Sequence, residues 1–277
     1  MTLNPRHARW AALPLLLLVA LAVLLPFAWR SADLLRQCLQ GSACATQELL
    51  ADDYYLMALW NTVWISALST ALALILGLGA AIAVAELPRW RGPATMLASL
   101  AANFAGVPLA LALTLLFGAQ GVVTLLVGAD GLPFDLYRNS GLLLAYLCFQ
   151  LPLACLLLLS PVQALVSGGS GLQEAAATLG AGPRLFWRRV GLPVLAPALL
   201  EVGSLLFANA AAAYATPFAL SGTAANVLAV RVAALVSGDI FAQPELSSLL
   251  ALLMFLMLVL VIAGSRWLAA RWRRTQG

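Results

Sequence analysis

Residues 54–85 read YYLMALWNTVWISALSTALALILGLGAAIAVA, a run of 32 residues without one Asp, Glu, Lys or Arg. A helix of about 20 apolar residues crosses the hydrocarbon core of a bilayer, so this run is long enough for one span. Five further charge-free runs of at least 20 residues lie at 10–29, 92–129, 139–173, 202–230 and 246–265. Their Leu, Ala and Val content favours helices over barrel strands, which alternate apolar and polar residues. The sequence therefore predicts an all-α integral membrane protein.

The composition excludes two broad classes of protein. Of the 277 residues, 63% are hydrophobic and 9% are charged, whereas a soluble domain is typically about 25% charged. An ordinary soluble enzyme is thus excluded, and so is a disordered chain, which would be poor in apolar residues. All 15 basic side chains are Arg, and His7 is the one histidine. Schiff-base chemistry at a Lys and His-clustered metal sites are therefore excluded, and we expect no cofactor and no metal.

The apolar runs predict six transmembrane helices within a single domain, residues 1–277. Their expected positions are 11–29, 57–85, 95–117, 141–165, 195–217 and 247–264. The fifth helix is expected to begin near Pro193, ahead of its charge-free run. The first run has a basic start like that of a signal peptide, but its apolar part is longer than a usual signal core and five spans follow it. We therefore interpret it as a retained first helix.

The distribution of arginine orients these spans. Cytoplasmic loops of membrane proteins retain positive charge. With the N-terminus inside, the outer segments hold four arginines, at 30, 36, 138 and 231, and the inner segments hold the other 11 of the 15. Eight of the 11 acidic residues then fall outside. We therefore expect both termini to lie in the cytoplasm.

The outer segments have two further features. Residues 121–127 and 226–236 are apolar, and they are either short helices at the outer membrane surface or frayed extensions of the neighbouring spans. Cys38 and Cys44 lie six residues apart in the first outer segment. An oxidising exterior permits a disulfide between them, although two free thiols are the alternative.

Three polar side chains lie on one side of the fifth predicted span. Glu201, Ser204 and Asn209 fall within an arc of about 140° at roughly 100° per residue. Polar residues inside spans are costly and often mark a transport pathway, so these residues are candidates for the lining of a translocation path. Hydrogen bonding between helices is the alternative, and Glu201 could instead reach the interface or pair with a neighbouring Arg.

The loop between the fourth and fifth spans, residues 166–193, contains two predicted helices. The first covers 171–179, and the glycines of 180–182 form a turn because Gly tolerates backbone angles that other residues avoid. Pro183 suits the first position of the second helix. We expect that helix to end at Arg189, where positive charge complements the negative end of the helix dipole.

This loop has two faces suited to another protein. Ala175, Ala176 and Ala177 are small and permit close approach, whereas Leu185–Trp187 are apolar and aromatic, and Trp is a frequent interface anchor. The alternative is a helix pair that packs only on its own chain. Because so apolar a loop leaves the membrane, we favour docking to a partner.

One set of residues in the loop has a recognisable spacing: Glu174, Ala175, Ala176, Gly180, Val190, Leu192 and Pro193. This order resembles the EAA motif of bacterial ABC importer permeases, with Val190 where that family usually has Ile. Similar stretches elsewhere in the chain are Leu132–Tyr137, Leu151–Pro152 and Tyr214–Gly222. They resemble the group that includes spermidine/putrescine, thiamine, ferric iron, phosphonate and sulfate/molybdate permeases.

The resemblance implies the type I importer permease architecture in a bacterial inner membrane, together with several partner proteins. In that family the loop is a coupling helix that fits a groove on a cytoplasmic ATPase, so Glu174 would pair with a basic group there and Gly180 would form the turn. The chain has no GxxxxGK[ST] loop and no Lys to supply one, so an ABC ATPase dimer would hydrolyse the ATP. A second permease, identical or homologous, would complete the path, and a periplasmic binding protein would deliver the substrate. No catalytic residue and no nucleic-acid partner are expected.

Two other classes remain as alternatives. A membrane-embedded enzyme, such as a lipid-modifying transferase, would need converging acids, His or metal ligands, and the inner carboxylates are dispersed along the chain. A secondary transporter usually shows internal repeats with broken helices, and no clear repeat relates 1–138 to 139–277. The substrate stays open, because the acidic outer side suits a cation such as a polyamine but also follows from the positive-inside pattern alone.

The orientation is testable with reporter fusions. A fluorescent protein fused after residue 277 should fluoresce, and alkaline phosphatase fused there should be inactive, because both report a cytoplasmic end. Phosphatase fused within the predicted outer segment at residue 130 should be active. An active phosphatase after residue 277 would reverse the predicted orientation.

Overall fold

The computed structural model describes most of the chain: residues 14, 17, 18, 21, 22, 25–39, 52–128, 131–166, 172–237 and 243–276. These ranges contain helices and turns and no strand. The helices are α1 (Leu25–Leu39), α2 (Asp53–Glu86), α3 (Arg91–Asn103), α4 (Val107–Phe117), α5 (Val122–Val127), α6 (Asn139–Val166), α7 (Leu172–Thr178), α8 (Pro183–Phe186), α9 (Leu192–Ala211), α10 (Ala215–Ser221), α11 (Leu228–Ser237) and α12 (Pro244–Gln276). The all-α prediction is confirmed.

Among the described residues, five helical stretches are long and apolar enough to cross a membrane: Asp53–Glu86, Val107–Val127, Asn139–Val166, Pro183–Ala211 and Glu245–Arg274. The bent pair of α10 and α11 would add a sixth. The predicted spans 57–85, 141–165 and 247–264 lie inside three of these stretches. The predicted span 11–29 falls largely outside the described residues, and α1 continues well past its expected end at residue 29.

The third predicted span, 95–117, is wrong as a single helix. The chain breaks between α3 and α4, where Gly106 has φ 81°, a left-handed conformation that favours glycine. Pro108 follows in the first turn of α4, where its missing N–H costs no hydrogen bond. Gly106 and Pro108 together were the sequence signal for this break.

The fifth predicted span, 195–217, ends too late. Helix α9 stops at Ala211, and α10 begins at Ala215 with Pro217 in its first turn. A proline at this position cannot supply the N–H that a continuing helix would need. The outer segments 121–127 and 226–236 contain the short helices α5 and α11, of which α5 is in line with α4 within the stretch Val107–Val127 and α11 is bent by 68° from the helix before it.

The chain divides into two compact units, and the first comprises residues 1–56 and 232–256. In this unit, Arg30 donates through Nε to Ser248 Oγ at 3.0 Å and pairs with Asp33 at 3.0 Å. Ser247 Oγ donates to the carbonyl of Val232 at 3.1 Å. Side-chain hydrogen bonds thus connect α1, α11 and the first turns of α12.

The second unit, residues 57–231 and 257–277, contains close packing between α2 and α6. A Cβ on Gly77 would lie 2.6 Å from the Cβ of Ala154, so the glycine is what permits the two backbones to approach. Four residues before Ala154, Gln150 is fully buried; its Nε2 donates to Ser69 Oγ at 3.0 Å, and its Oε1 accepts from Thr70 Oγ1 at 3.4 Å. These bonds satisfy a polar side chain that would otherwise be costly inside the protein.

The close approach of α2 and α6 predicts different effects for two neighbouring glycines. Gly77→Ala should lower the free energy of unfolding of the purified protein by about 1–3 kcal/mol, because the added methyl group overpacks the helix contact. Its melting temperature should fall accordingly. Gly79→Ala is the matched control, since a Cβ there meets no atom within 4 Å. It should leave stability unchanged or raise it, because Ala favours the helix. Equal melting temperatures for the two variants in detergent would contradict the packing argument.

Candidate functional site

The chain between α6 and α9 forms a helical hairpin, defined here as residues 172–191. Its first arm, α7, ends in a Schellman motif: Gly180 donates to the carbonyl of Ala177 at 3.0 Å, and Ala181 donates to that of Ala176 at 2.9 Å. Gly180 has φ 76°, which an L-residue adopts only with strain. The predicted helix and glycine turn are confirmed, and Gly180 is the residue that shapes the turn.

The second arm of the hairpin is continuous with α9. Gly182 accepts hydrogen bonds from the amides of Leu185 and Phe186, which starts α8 with Pro183 in its first turn. A π-helical turn, Trp187–Gly191, then leads directly into α9. The prediction that this arm ends at Arg189 is wrong. The helix continues past Arg189 into α9, so no helix C-terminus lies at this point. The two arginines therefore do not complement the negative end of a helix dipole.

An aromatic side chain anchors the hairpin to the body of the second unit. Phe186 is 3% exposed and belongs to a core cluster with residues of α2, α6 and α9, among them Ala81, Leu158 and Leu195. Trp187 packs against the same cluster. The prediction of a docking face is therefore wrong for Phe186, which holds the hairpin to its own chain, whereas Trp187 is half-buried and Leu185 is exposed.

The residues of the EAA-like spacing divide into an exposed and a packed group. Exposed are Glu174, Ala175, Gly180 and Leu192, whereas Ala176, Val190 and Pro193 are half-buried. Ala176 and Val190 pack against the cluster that holds Phe186. Beside the turn, Leu179 is 87% exposed. The tip of the hairpin thus presents an acid, small side chains and one leucine to its surroundings.

The predicted polar arc of the fifth span is divided between two grooves. Glu201 and Ser204 line a groove of about 520 Å³ together with Arg266 and Arg273 of α12. Glu201 forms an ion pair with Arg273, which is the alternative that the sequence left open for this residue. Ser204 Oγ donates to the carbonyl of Glu201 at 2.9 Å.

Asn209 lines a second groove, of about 350 Å³, where two helix breaks meet. One break lies between α3 and α4, with Asn103 at its edge, and the other lies between α9 and α10, with Tyr214. The amide of Gly106 donates to Thr216 Oγ1 at 3.0 Å across the two breaks. This groove combines polar side chains with irregular backbone.

Sequence reasoning missed Trp272 and Arg273 as site residues. The C-terminal arginines were used only for orientation, yet Trp272 Nε1 donates to the carbonyl of Pro193 at 3.1 Å and Arg273 pairs with Glu201. The signal that could have found the first contact is Pro197, because a proline has no N–H to donate to the carbonyl of residue 193.

No three His, Cys, Asp or Glu side chains come together as a metal site within the described ranges. The predicted Cys38–Cys44 pair lies outside the side chains that the structure describes. Cys148 and Cys155 of α6 are free thiols, and Cys155 is buried.

Long apolar helices together with this hairpin define a multi-pass α-helical membrane protein. No protein-family model matches the chain. A probable ABC transporter permease protein of Sinorhizobium fredii is 30% identical over 97% of this chain, which spans about half of that relative, 46%. The molybdenum transport system permease protein of Mycobacterium tuberculosis is 28% identical over 75% of this chain and 77% of its own length. A thiamine transport system permease protein of Brucella melitensis is 27% identical over 58% of this chain and 30% of its own length.

A solved structure shares the fold. A chain of a bacterial alginate ABC transporter, in complex with an alginate pentasaccharide-bound periplasmic protein, matches with a TM-score of 0.70 over 96% of both chains at 14% identity. The chain is thus similar in sequence to permease proteins of ABC transporters and shares its fold with a chain of a bacterial ABC transporter. It is accordingly a multi-pass protein of the bacterial inner membrane.

Proposed function

We propose that this chain forms half of the substrate path of an ATP-driven importer and is coupled to a separate cytoplasmic ATPase through the 166–193 loop. The observation that carries the proposal is the hairpin itself. Its tip exposes Glu174 and Ala175 beside the Gly180 turn, while Phe186 holds its second arm in the core. An exposed tip on a fixed base suits a docking element.

The continuity of the hairpin with α9 supports a coupling role. No turn separates Pro183 from Ala211, so a displacement of the hairpin is passed along one helix. That helix also bears Ser204 and Asn209, which line the two grooves. A partner that moves the hairpin therefore moves the lining of both grooves.

The exposed chemistry of the hairpin suits an ATPase surface. The carboxylate of Glu174 is available for a basic group, and no ion pair reaches it from the described part of the chain. Ala175 and Ala177 allow close backbone approach, and Leu179 offers an exposed apolar contact. An ATPase dimer would bind two such hairpins, one from this chain and one from a second permease.

The groove of Asn103 and Asn209 is the part of the path that we propose contacts the solute. Transport sites commonly lie where membrane helices are discontinuous, because free backbone groups and polar side chains meet there. A periplasmic binding protein would deliver the solute to this permease pair, and the chain itself would have no catalytic role. The named relatives handle molybdenum, thiamine and alginate, so we assign the choice of solute to the binding protein.

Substitutions at the hairpin tip test the coupling role. In the complex of this chain with its ATPase, second permease and binding protein, Glu174→Arg should lower solute uptake and ATPase stimulation at least about tenfold, because it places like charges in the interface. Gly180→Pro should do the same, because proline cannot adopt the φ of 76° found there.

Gly182→Ala is the matched control for the turn. Gly182 has φ −68°, and a Cβ there meets no atom within 4 Å, so this variant should transport normally. Uptake should be normalised to the amount of assembled complex in the membrane. Near-normal uptake by both Glu174→Arg and Gly180→Pro would refute the coupling role of the hairpin.

A further inference from the structure

The C-terminal end of α12 contacts α9 at two points. Trp272 donates its indole N–H to the carbonyl of Pro193 at 3.1 Å, and Arg273 pairs with Glu201. The two partners on α9 are eight residues apart, about 12 Å along a helix, yet adjacent residues of α12 reach both. We call Trp272 and Arg273 the C-terminal clamp. All four residues belong to the second compact unit.

The indole bond is made to a carbonyl that a proline cannot reach. In a regular helix the carbonyl of Pro193 would accept from the amide of residue 197, but Pro197 has no N–H. Trp272 supplies a donor to that carbonyl instead. The contact is therefore specific to this turn of α9 and is not a general contact between two apolar helices.

The clamped stretch is the weakest part of the connection between hairpin and span. The two prolines at 193 and 197 fall within it, and the π-helical turn Trp187–Gly191 directly precedes it. Prolines and π-turns are the usual sites at which helices bend. A helix that bends here would absorb a movement of the hairpin before it reached Ser204 and Asn209.

We infer that Trp272 and Arg273 are positioning residues that keep the first turns of α9 from bending, so that movement of the hairpin reaches the transport path. This inference rests on the proposed function, because it assigns the clamp a part in the coupling of the same hairpin. The charges that face Glu201 from α12 are Arg273, which pairs with it, and Arg266, which lines the same groove. Arg271 instead lies over the ring of Trp267, 4.8 Å from its centroid.

The clamp can be tested first on this chain alone. Hydrogen exchange of the purified protein in detergent should be compared for Arg273→Gln, Trp272→Phe and Arg274→Gln. Backbone amides of residues 194–201 should exchange about two- to fivefold faster in the first two variants, because each loses one contact of the strength usual for such pairs. Arg274→Gln is the matched control, since it removes the same charge one residue further along α12.

A charge exchange separates the ion pair from general damage to α12. The double variant Glu201→Arg with Arg273→Glu should restore slow exchange in residues 194–201, whereas Glu201→Arg alone should not. Equal exchange rates in Arg273→Gln and Arg274→Gln would overturn the ionic half of the clamp. An unchanged rate in Trp272→Phe would overturn the indole half.

The second test measures coupling in the assembled transporter. Arg273→Gln and Trp272→Phe should raise the ATP hydrolysed per solute imported at least about twofold, and Arg274→Gln should leave this ratio unchanged. If Trp272 and Arg273 had a purely structural role, the variants would lower the amount of assembled complex but would not change the ATP hydrolysed per solute imported. If the wild-type complex shows stimulated ATPase activity and both variants keep its ratio, the positioning role is refuted. If the wild-type complex shows no stimulation by the loaded binding protein, the proposed function fails, and the exchange experiment still decides whether the clamp exists.

Discussion

The burial of Phe186 is the interaction on which the arrangement of the hairpin depends. Its ring lies in a cluster built from α2, α6 and α9, so the hairpin has a fixed base although its tip is exposed. Burying a Phe side chain contributes about 1.5–3 kcal/mol, which is enough to hold a short hairpin that could not be stable alone. The anchor lies at the end of α8, and the helix runs on into α9, so the base of the hairpin and the span belong to one helical stretch.

A second constraint comes from the helix breaks. A membrane protein must satisfy backbone polar groups internally, because lipid offers no hydrogen bonds. At the break before α4, the amide of Gly106 donates to Thr216 Oγ1. At the start of α11, the amide of Leu228 donates to Thr62 Oγ1 at 2.8 Å, and the guanidinium of buried Arg231 donates to the carbonyl of Thr223 at 2.7 Å. Side chains thus replace the missing helical bonds, and irregular backbone persists where it shapes the grooves.

The sequence predicted those features that depend on composition or on a single local residue. Charge-free runs indicated the spans, and Gly180 with Pro183 indicated the hairpin. Two of the misplaced features depend on partners distant in the chain. The face to which Phe186 belongs is set by α2 and α6, and the role of Glu201 is set by Arg273, 72 residues later. The end of the second arm was misplaced for another reason, since terminal charge is a weak signal that a continuing apolar helix overrides.

The polar residues of α9 are divided between two grooves because helical periodicity describes only the angle of a side chain around the axis. An angle around the axis gives the direction of a side chain, whereas the distance along the axis decides which neighbour it meets. Glu201 and Asn209 are about 12 Å apart along α9, and so the first meets the arginines of α12 while the second meets the break at Gly106. A lone carboxylate in a span is costly, and Glu201 is instead paired with Arg273 in a groove where both side chains are partly exposed. Among the described residues, the groove of Asn209 is lined by amides, hydroxyls, aromatic rings and small apolar side chains, with no charged group. A lining without net charge attracts neither cations nor anions by charge, which is consistent with the proposal that the choice of solute is made by another protein.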